Sequence, residues 1–191
     1  MRISRFGLAL DAPSGWDARI RRHRPAVGPA TTAHDLSPSD ARILGVHRTT
    51  DAPAGGRPEL RVHPVLHAAD FALPEERGDF GSGAVETMRS DQAFIALVEY
   101  HRDSAGTALF SAHSGMPRQM GTDDFSPRQL QRTIRGQGGT QVFFVEAGRA
   151  FCLYVVLGSM ANRHQVVPRV NVALSAIEIE SPLPPESVDV V

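Results

Sequence analysis

Two stretches of the chain stay apolar on both sides of an extended backbone. Phe94, Ala96 and Val98 alternate with Ile95 and Leu97, and the run from Phe151 to Leu157 carries no charge at all. Thr140 to Glu146 adds Phe143, Phe144 and Val145. A strand with one wet face alternates apolar with polar residues, so strands of this kind belong inside a sheet that is covered on both faces. Segments 140–146 and 150–157 flank Ala147-Gly-Arg149 and read as a hairpin. Together with 93–100 they predict an α+β domain: a central antiparallel sheet covered by helices on its faces.

The remaining elements are arranged around that centre. Residues 2–10 read as one strand, and the turn Asp11-Ala-Pro-Ser-Gly15 joins it to a half-buried strand at 16–22, where Trp16, Ala18 and Ile20 alternate with Asp17, Arg19 and Arg21. The two form a predicted hairpin. Residues 23–58, with five prolines, read as an excursion from the core, part loop and part short helix capped by Ser37. Segments 59–66 and 68–73 are β-like, with Pro64 marking an edge or a bulge. A short helix is expected over 84–90, and 107–111 is a candidate to pair with 93–100. At 125–136 a helix is expected from its start signals: Ser126 as cap, Pro127 at the first helical position, Gln129 closing a capping box, and Phe125 with Leu130 as a hydrophobic staple. Val167, Val170, Leu174 and Ile177 recur at helical spacing, while Val170, Val172 and Leu174 also alternate; the reading taken is a helix over 165–175 and a strand at 177–180. Pro182, Pro184 and Pro185 mark a tail, so the expected organisation is one domain over 1–181 and a tail over 182–191.

Composition bounds the function. All 20 basic residues of the 191 are arginine, and the net charge is -1. That balance argues against a nucleic-acid module, since such modules are clearly basic. The first 24 residues are basic and everything past Arg169 is acidic. These ends either meet in the fold, face partners, or form two solvated surfaces, which is the reading taken. Cys152 is the only cysteine and sits between Phe151 and Leu153, as a buried inert thiol would. One cysteine and no long apolar run point to a cytoplasmic protein without a membrane span.

No catalytic motif stands out. Gly78-Asp-Phe-Gly-Ser-Gly83 lacks the lysine of a phosphate-binding P-loop and the spacing of a dinucleotide fingerprint. No Gly-x-Ser-x-Gly elbow exists. His63 and His67 are four apart, but along a strand that is about 13 Å, too far for one ion. No cofactor and no metal set is expected. Two sets of residues remain as candidates. Arg19, Arg21, Arg22 and Arg24 offer partner or anion contacts, and Asp79, Ser82, Glu99 and His101 would line a pocket if the fold brings them together.

The order of elements adds a resemblance. Pro13-Ser-Gly-Trp16 at a turn, a long excursion, central strands, the two-sided hairpin, and a closing helix running into Ala173-Leu-Ser-Ala-Ile-Glu-Ile179 resemble the PsbP-like (DcrB-like) fold, an α/β/α sandwich. It is shared by extrinsic photosystem II subunits, DcrB-type bacterial proteins, some mycobacterial lipoproteins and certain effector chaperones, and the chain is similar to actinobacterial-type members. The resemblance implies a non-enzymatic binder, adaptor or assembly factor whose partner is another protein. It carries no shared catalytic set, so no site residue follows from it.

Overall fold

The computed structural model describes residues 1–23 and 63–181. The expected excursion at 23–58, apart from its first residue, lies outside the described residues, as do Arg24 and the tail at 182–191.

Among the described residues, two antiparallel sheets make up the fold. The smaller has the order β1-β2-β8, from Arg2–Arg5, Leu8–Asp11 and Ile177–Ile179. The larger has the order β3-β4-β5-β7-β6, from Asp17–His23, His63–Ala69, Ala93–Glu99, Arg149–Leu157 and Gly138–Glu146. A helical turn, α1, spans Ala108–Ser111, and one long helix, α2, spans Arg163–Ser175 just before β8. The α+β class expected from the sequence is what the structure has.

β7 lies between β5 and β6, and all nine of its residues are buried, as its two-sided apolar run requires. One face of the large sheet presents Ile95, Leu97, Leu153 and Val155 to the small sheet (Leu8, Leu10) and to α2 (Val166, Val170, Leu174). The other face presents Phe94, Ala96, Tyr154 and Val156 to Leu73, Phe80, Ala84, Val85, Leu130 and Ile134. Among the described residues, the cover on that second face consists of loops and single 3-10 turns. On the first face α2 contributes Val166, Val170 and Leu174 to the core.

Several local expectations are corrected. The 2–10 strand breaks at Phe6-Gly7, where both residues have positive φ (57° and 70°), and folds back on itself as β1–β2. The turn at 11–15 therefore carries the chain from one sheet to the other, and β3 pairs with β4. Strand β4 is continuous and interior; its Pro64 is tolerated because pairing with β5 begins only at Val65. Residues 71–73 are loop. Segment 107–111 is not a strand but contains α1, whose Phe110 packs on Phe143 with ring centroids 5.3 Å apart. At 84–90 only a 3-10 turn, Val85–Thr87, forms.

The helix predicted at 125–136 is likewise a single 3-10 turn, Pro127–Gln129. Ser126 does cap it, accepting from the Arg128 amide at 3.2 Å. The Gln129 side chain, however, accepts from the Gln141 amide at 3.1 Å and does not reach back to the cap. Phe125 and Leu130 pack on opposite faces of the large sheet, so no staple exists. Tertiary partners for these residues outweigh a local preference worth about 1 kcal/mol. β6 is another correction: it lies at the sheet edge, although its sequence reads as central. Its extra cover comes from α1 and from Met116 and Met120.

Candidate functional site

Glu99 is taken up by the fold. Both of its carboxylate oxygens accept from Arg149, at 2.9 and 2.6 Å, and both side chains are largely buried. The same guanidinium donates to the carbonyls of Phe6, Gly7 and Glu180 at 3.0, 2.8 and 3.0 Å. Arg149 on β7 thus binds the β1–β2 turn and the end of β8 to the large sheet. Gly7 is needed there twice over, for its positive φ and because a Cβ would come within 2.8 Å of Arg149 Nη1.

Of the other expected pocket residues, Asp79 and Ser82 do not join Glu99. The segment Gly78–Gly83 packs on the loop-covered face, where Gly81 lies against the Phe94 ring. Glu99 follows Ile95 and Leu97 on the opposite face. The Asp79 carbonyl accepts from His67 Nε2 at 2.7 Å, and Ser82 is exposed with its carbonyl accepting from the Gly78 amide. His101 holds Nδ1 3.0 Å from the Asp103 carboxylate, and its ring centroid is 6.1 Å from that of His63. His67, by contrast, is fully buried against Phe94. Burial pushes the Cys152 thiol up to about 12, with a hydrogen bond from Gln141 opposing the shift, so the thiol stays protonated at neutral pH.

Strand alternation divides the arginine set. Arg22 points toward the small sheet, where its guanidinium lies 4.4 Å from the centre of the Phe6 ring. Arg19 and Arg21 point to the loop-covered face, where they meet Arg77. Arg2 joins Asp11 and Glu178, both at 2.7 Å, so the basic start and the acidic end of the chain do meet here. The Arg2 guanidinium holds the exposed Glu178 carboxyl below its usual range.

A groove of about 1070 Å³ runs along the outer edge of β6. Its walls include Leu109 of α1, Met116, Met120, Val142 and Phe143. Tyr100, Phe110 and Phe143 form an aromatic cluster behind one wall, with ring centroids 5.1 to 6.2 Å apart. Charged lining is acidic, from Asp123 and Asp124, with His113 beside it.

The edge itself is closed at both ends and open between. Gly139 exchanges two hydrogen bonds with Ser126, at 2.9 and 3.1 Å. Val145 donates to the His113 carbonyl at 3.2 Å and accepts from the Gly115 amide at 2.8 Å. From 115 to 125 the chain leaves the edge and reaches α2, where Asn171 bonds both backbone groups of Met120 and Arg118 reaches the carbonyls of Leu174 and Ile177. Between the clamps, alternation aims the backbone of residues 141 and 143 outward. Gln129 takes the Gln141 amide. Among the described residues, no hydrogen bond reaches the Phe143 amide, the Phe143 carbonyl or the Gln141 carbonyl. From Gly139 to Val145 the strand runs about 20 Å, at roughly 3.3 Å per residue.

Sequence reasoning did not reach this groove. Its walls come from residues separated by up to 35 positions (108 to 143), and its open backbone depends on where two isolated bridges fall. No helix among the described residues is long and apolar enough to cross a membrane, and no three of their His, Cys, Asp or Glu side chains are grouped to hold a metal ion. Compared with protein-family models, with curated proteins and with solved structures, the chain matches none.

Proposed function

We propose that the protein is a non-enzymatic binding module, an adaptor, chaperone or assembly factor, that takes an extended segment of a partner protein as an added strand on β6. The carrying observation is the Phe143 amide and carbonyl facing an apolar groove between two closed ends. An added strand gains affinity from such main-chain hydrogen bonds and selectivity from alternate side chains. One set of side chains would rest on Leu109 and Phe143, the other on Met116, Met120 and Val142. The window admits about four residues at strand spacing. Asp123 and Asp124 at the Ser126 end favour an arginine or lysine in the partner.

A PsbP-like reading of the fold agrees with this role. Its support is the order of hairpin, central strands, two-sided hairpin and closing helix-strand at 163–179. A reducing compartment such as the cytoplasm suits the one buried thiol. The pocket alternative has less support, because Glu99 is bound to Arg149 and faces away from Asp79 and Ser82.

Phage display of random heptapeptides against the intact protein tests the reading. The expected result is a family of extended, apolar peptides with one basic residue. In NMR titrations they shift the Phe143 amide, and they bind at least tenfold more weakly to Leu109→Asp. Leu109 is 39% exposed, so that substitution spares the core. Failure to enrich any family, or binders indifferent to Leu109→Asp, overturns it.

A further inference from the structure

At the opposite edge of the large sheet, β3 and the segment 73–77 enclose a second cleft, of about 450 Å³, lined by Arg19, Ile20, Arg21, Leu73, Glu75 and Arg77. Three guanidinium groups converge on it from two parts of the chain. Arg77 is held by its own surroundings: Nε donates to His67 Nδ1 at 3.0 Å, and Nη1 donates to the Pro74 carbonyl at 2.5 Å. Because His67 Nδ1 accepts, its proton is on Nε2 and goes to Asp79, so the imidazole adds no negative charge. Arg21 Nη2 donates to the Arg77 carbonyl. Arg21 Nε is buried and has no hydrogen-bond partner among the described residues.

One nearby carboxylate, Asp17, offsets part of this cluster's charge. Asp17 gives one oxygen to Arg19 at 2.7 Å and the other to the Leu73 amide at 3.0 Å. Glu75 lines the cleft but makes no ion pair among the described residues. Burial, then the charges of Arg21 and Arg19, push the Arg77 guanidinium below its ordinary range, with Asp17 opposing. Like charges gathered around a space, with a buried N–H lacking an acceptor, are the state that a bound anion relieves.

We propose that this cleft binds a tetrahedral oxyanion of the phosphate class, with Arg21 Nε and the outer nitrogens of Arg19 and Arg77 as donors. Guanidinium groups match phosphate oxygens in pairs, and a doubly charged phosphate suits more than one of them. The cleft is larger than one such ion, which leaves room beside Leu73 and Ile20 for the carbon skeleton of a small phosphate ester. The site is independent of the groove on β6.

Thermal unfolding and calorimetric titration of the intact protein at pH 7.5 test it, with sodium phosphate, glycerol phosphate, and sodium chloride at matched ionic strength. A saturable rise in Tm with phosphate, absent with chloride, is expected. Arg21→Gln should weaken binding at least tenfold and Arg19→Gln several-fold, whereas Glu75→Gln should tighten it by removing a competing charge. Tighter binding of glycerol phosphate assigns the site to an ester, and equal or weaker binding assigns it to the free ion. Circular dichroism checks the fold of each variant. Arg19 is 56% exposed and Glu75 is on the surface, so those two variants decide if Arg21→Gln fails to fold. Equal effects of phosphate and chloride, or unchanged binding in both Arg19→Gln and Glu75→Gln, overturn the proposal.

Discussion

The two faces of the large sheet are covered by different means. Over Ile95, Leu97 and Leu153 lie a helix and a second sheet, whose backbone groups are largely paired by their own regular structure. Over Phe94, Tyr154 and Val156 lie segments 71–92 and 130–134, which have no such internal ladder. Short backbone turns within 78–92 pair some of their backbone groups, and side chains tie others one at a time. Asp17 takes the Leu73 amide, Glu86 the Gly83 amide, Gln92 the Arg89 amide, and the Tyr154 hydroxyl the Gln131 amide. Gln137 donates to the Val85 carbonyl. A buried backbone group must be paired whichever route is used. What differs is cooperativity: a helix or sheet opens as a unit, while single ties release locally. The candidate oxyanion cleft lies on the individually tied face, where side chains already converge on loops.

Three measurements sharpen that contrast. The largest effect is expected from Arg149→Met, which removes the clamp between the sheets and leaves the Glu99 carboxylate buried without its partner. A loss of about 3–5 kcal/mol is expected, with the transition remaining cooperative, because breaking one side of a buried pair strands the other charge. Adding Glu99→Leu should recover part of that loss in a double-mutant cycle. If Arg149→Met instead releases only β1–β2 while the large sheet stays intact, the regularly covered face is not one cooperative unit.

Gly81→Ala tests the other face. Gly81 has φ +84°, and a Cβ there would overlap the Phe94 ring. A loss of about 1–3 kcal/mol follows from the strained backbone alone. Hydrogen exchange should quicken over 78–87 while β5 and β7 keep their protection; uniform quickening would show that the loops unfold only with the whole domain. Tyr154→Phe is the mildest of the three. It removes one tie, to the amide of exposed Gln131, and should lower stability by about 0.5–1.5 kcal/mol in denaturant titration. A null result would mean that water replaces the hydroxyl fully.

Where sequence reading and structure agree, the determining interactions are local or come from burial alone. The strand at 93–99, the hairpin at 138–157 and the closing helix-strand were legible, because two-sided apolar runs and a 3.6-residue period follow from burial itself. Cys152 could be read as buried for the same reason. Segment 125–136 shows the limit: its capping residues are real signals, yet Ser126 pairs with Gly139, Gln129 bonds Gln141, and Phe125 and Leu130 divide between the two faces.

The candidate sites followed the same rule. Arg19 and Arg21 stood out in sequence, but Arg77, which makes their cleft, lies 56 residues beyond Arg21 and carried no signal of its own. Glu99 reads as a pocket candidate in sequence, but in the fold Arg149 takes up its carboxylate. By itself, the sequence determined the α+β class, the strands at 93–99 and 149–157, the closing helix and the lack of any standard catalytic motif, since these rest on periodicity and residue type. Only the tertiary structure decided which strand is an edge, which face is covered by loops, which charges converge and where backbone is left unpaired, because each depends on contacts between segments far apart in the chain.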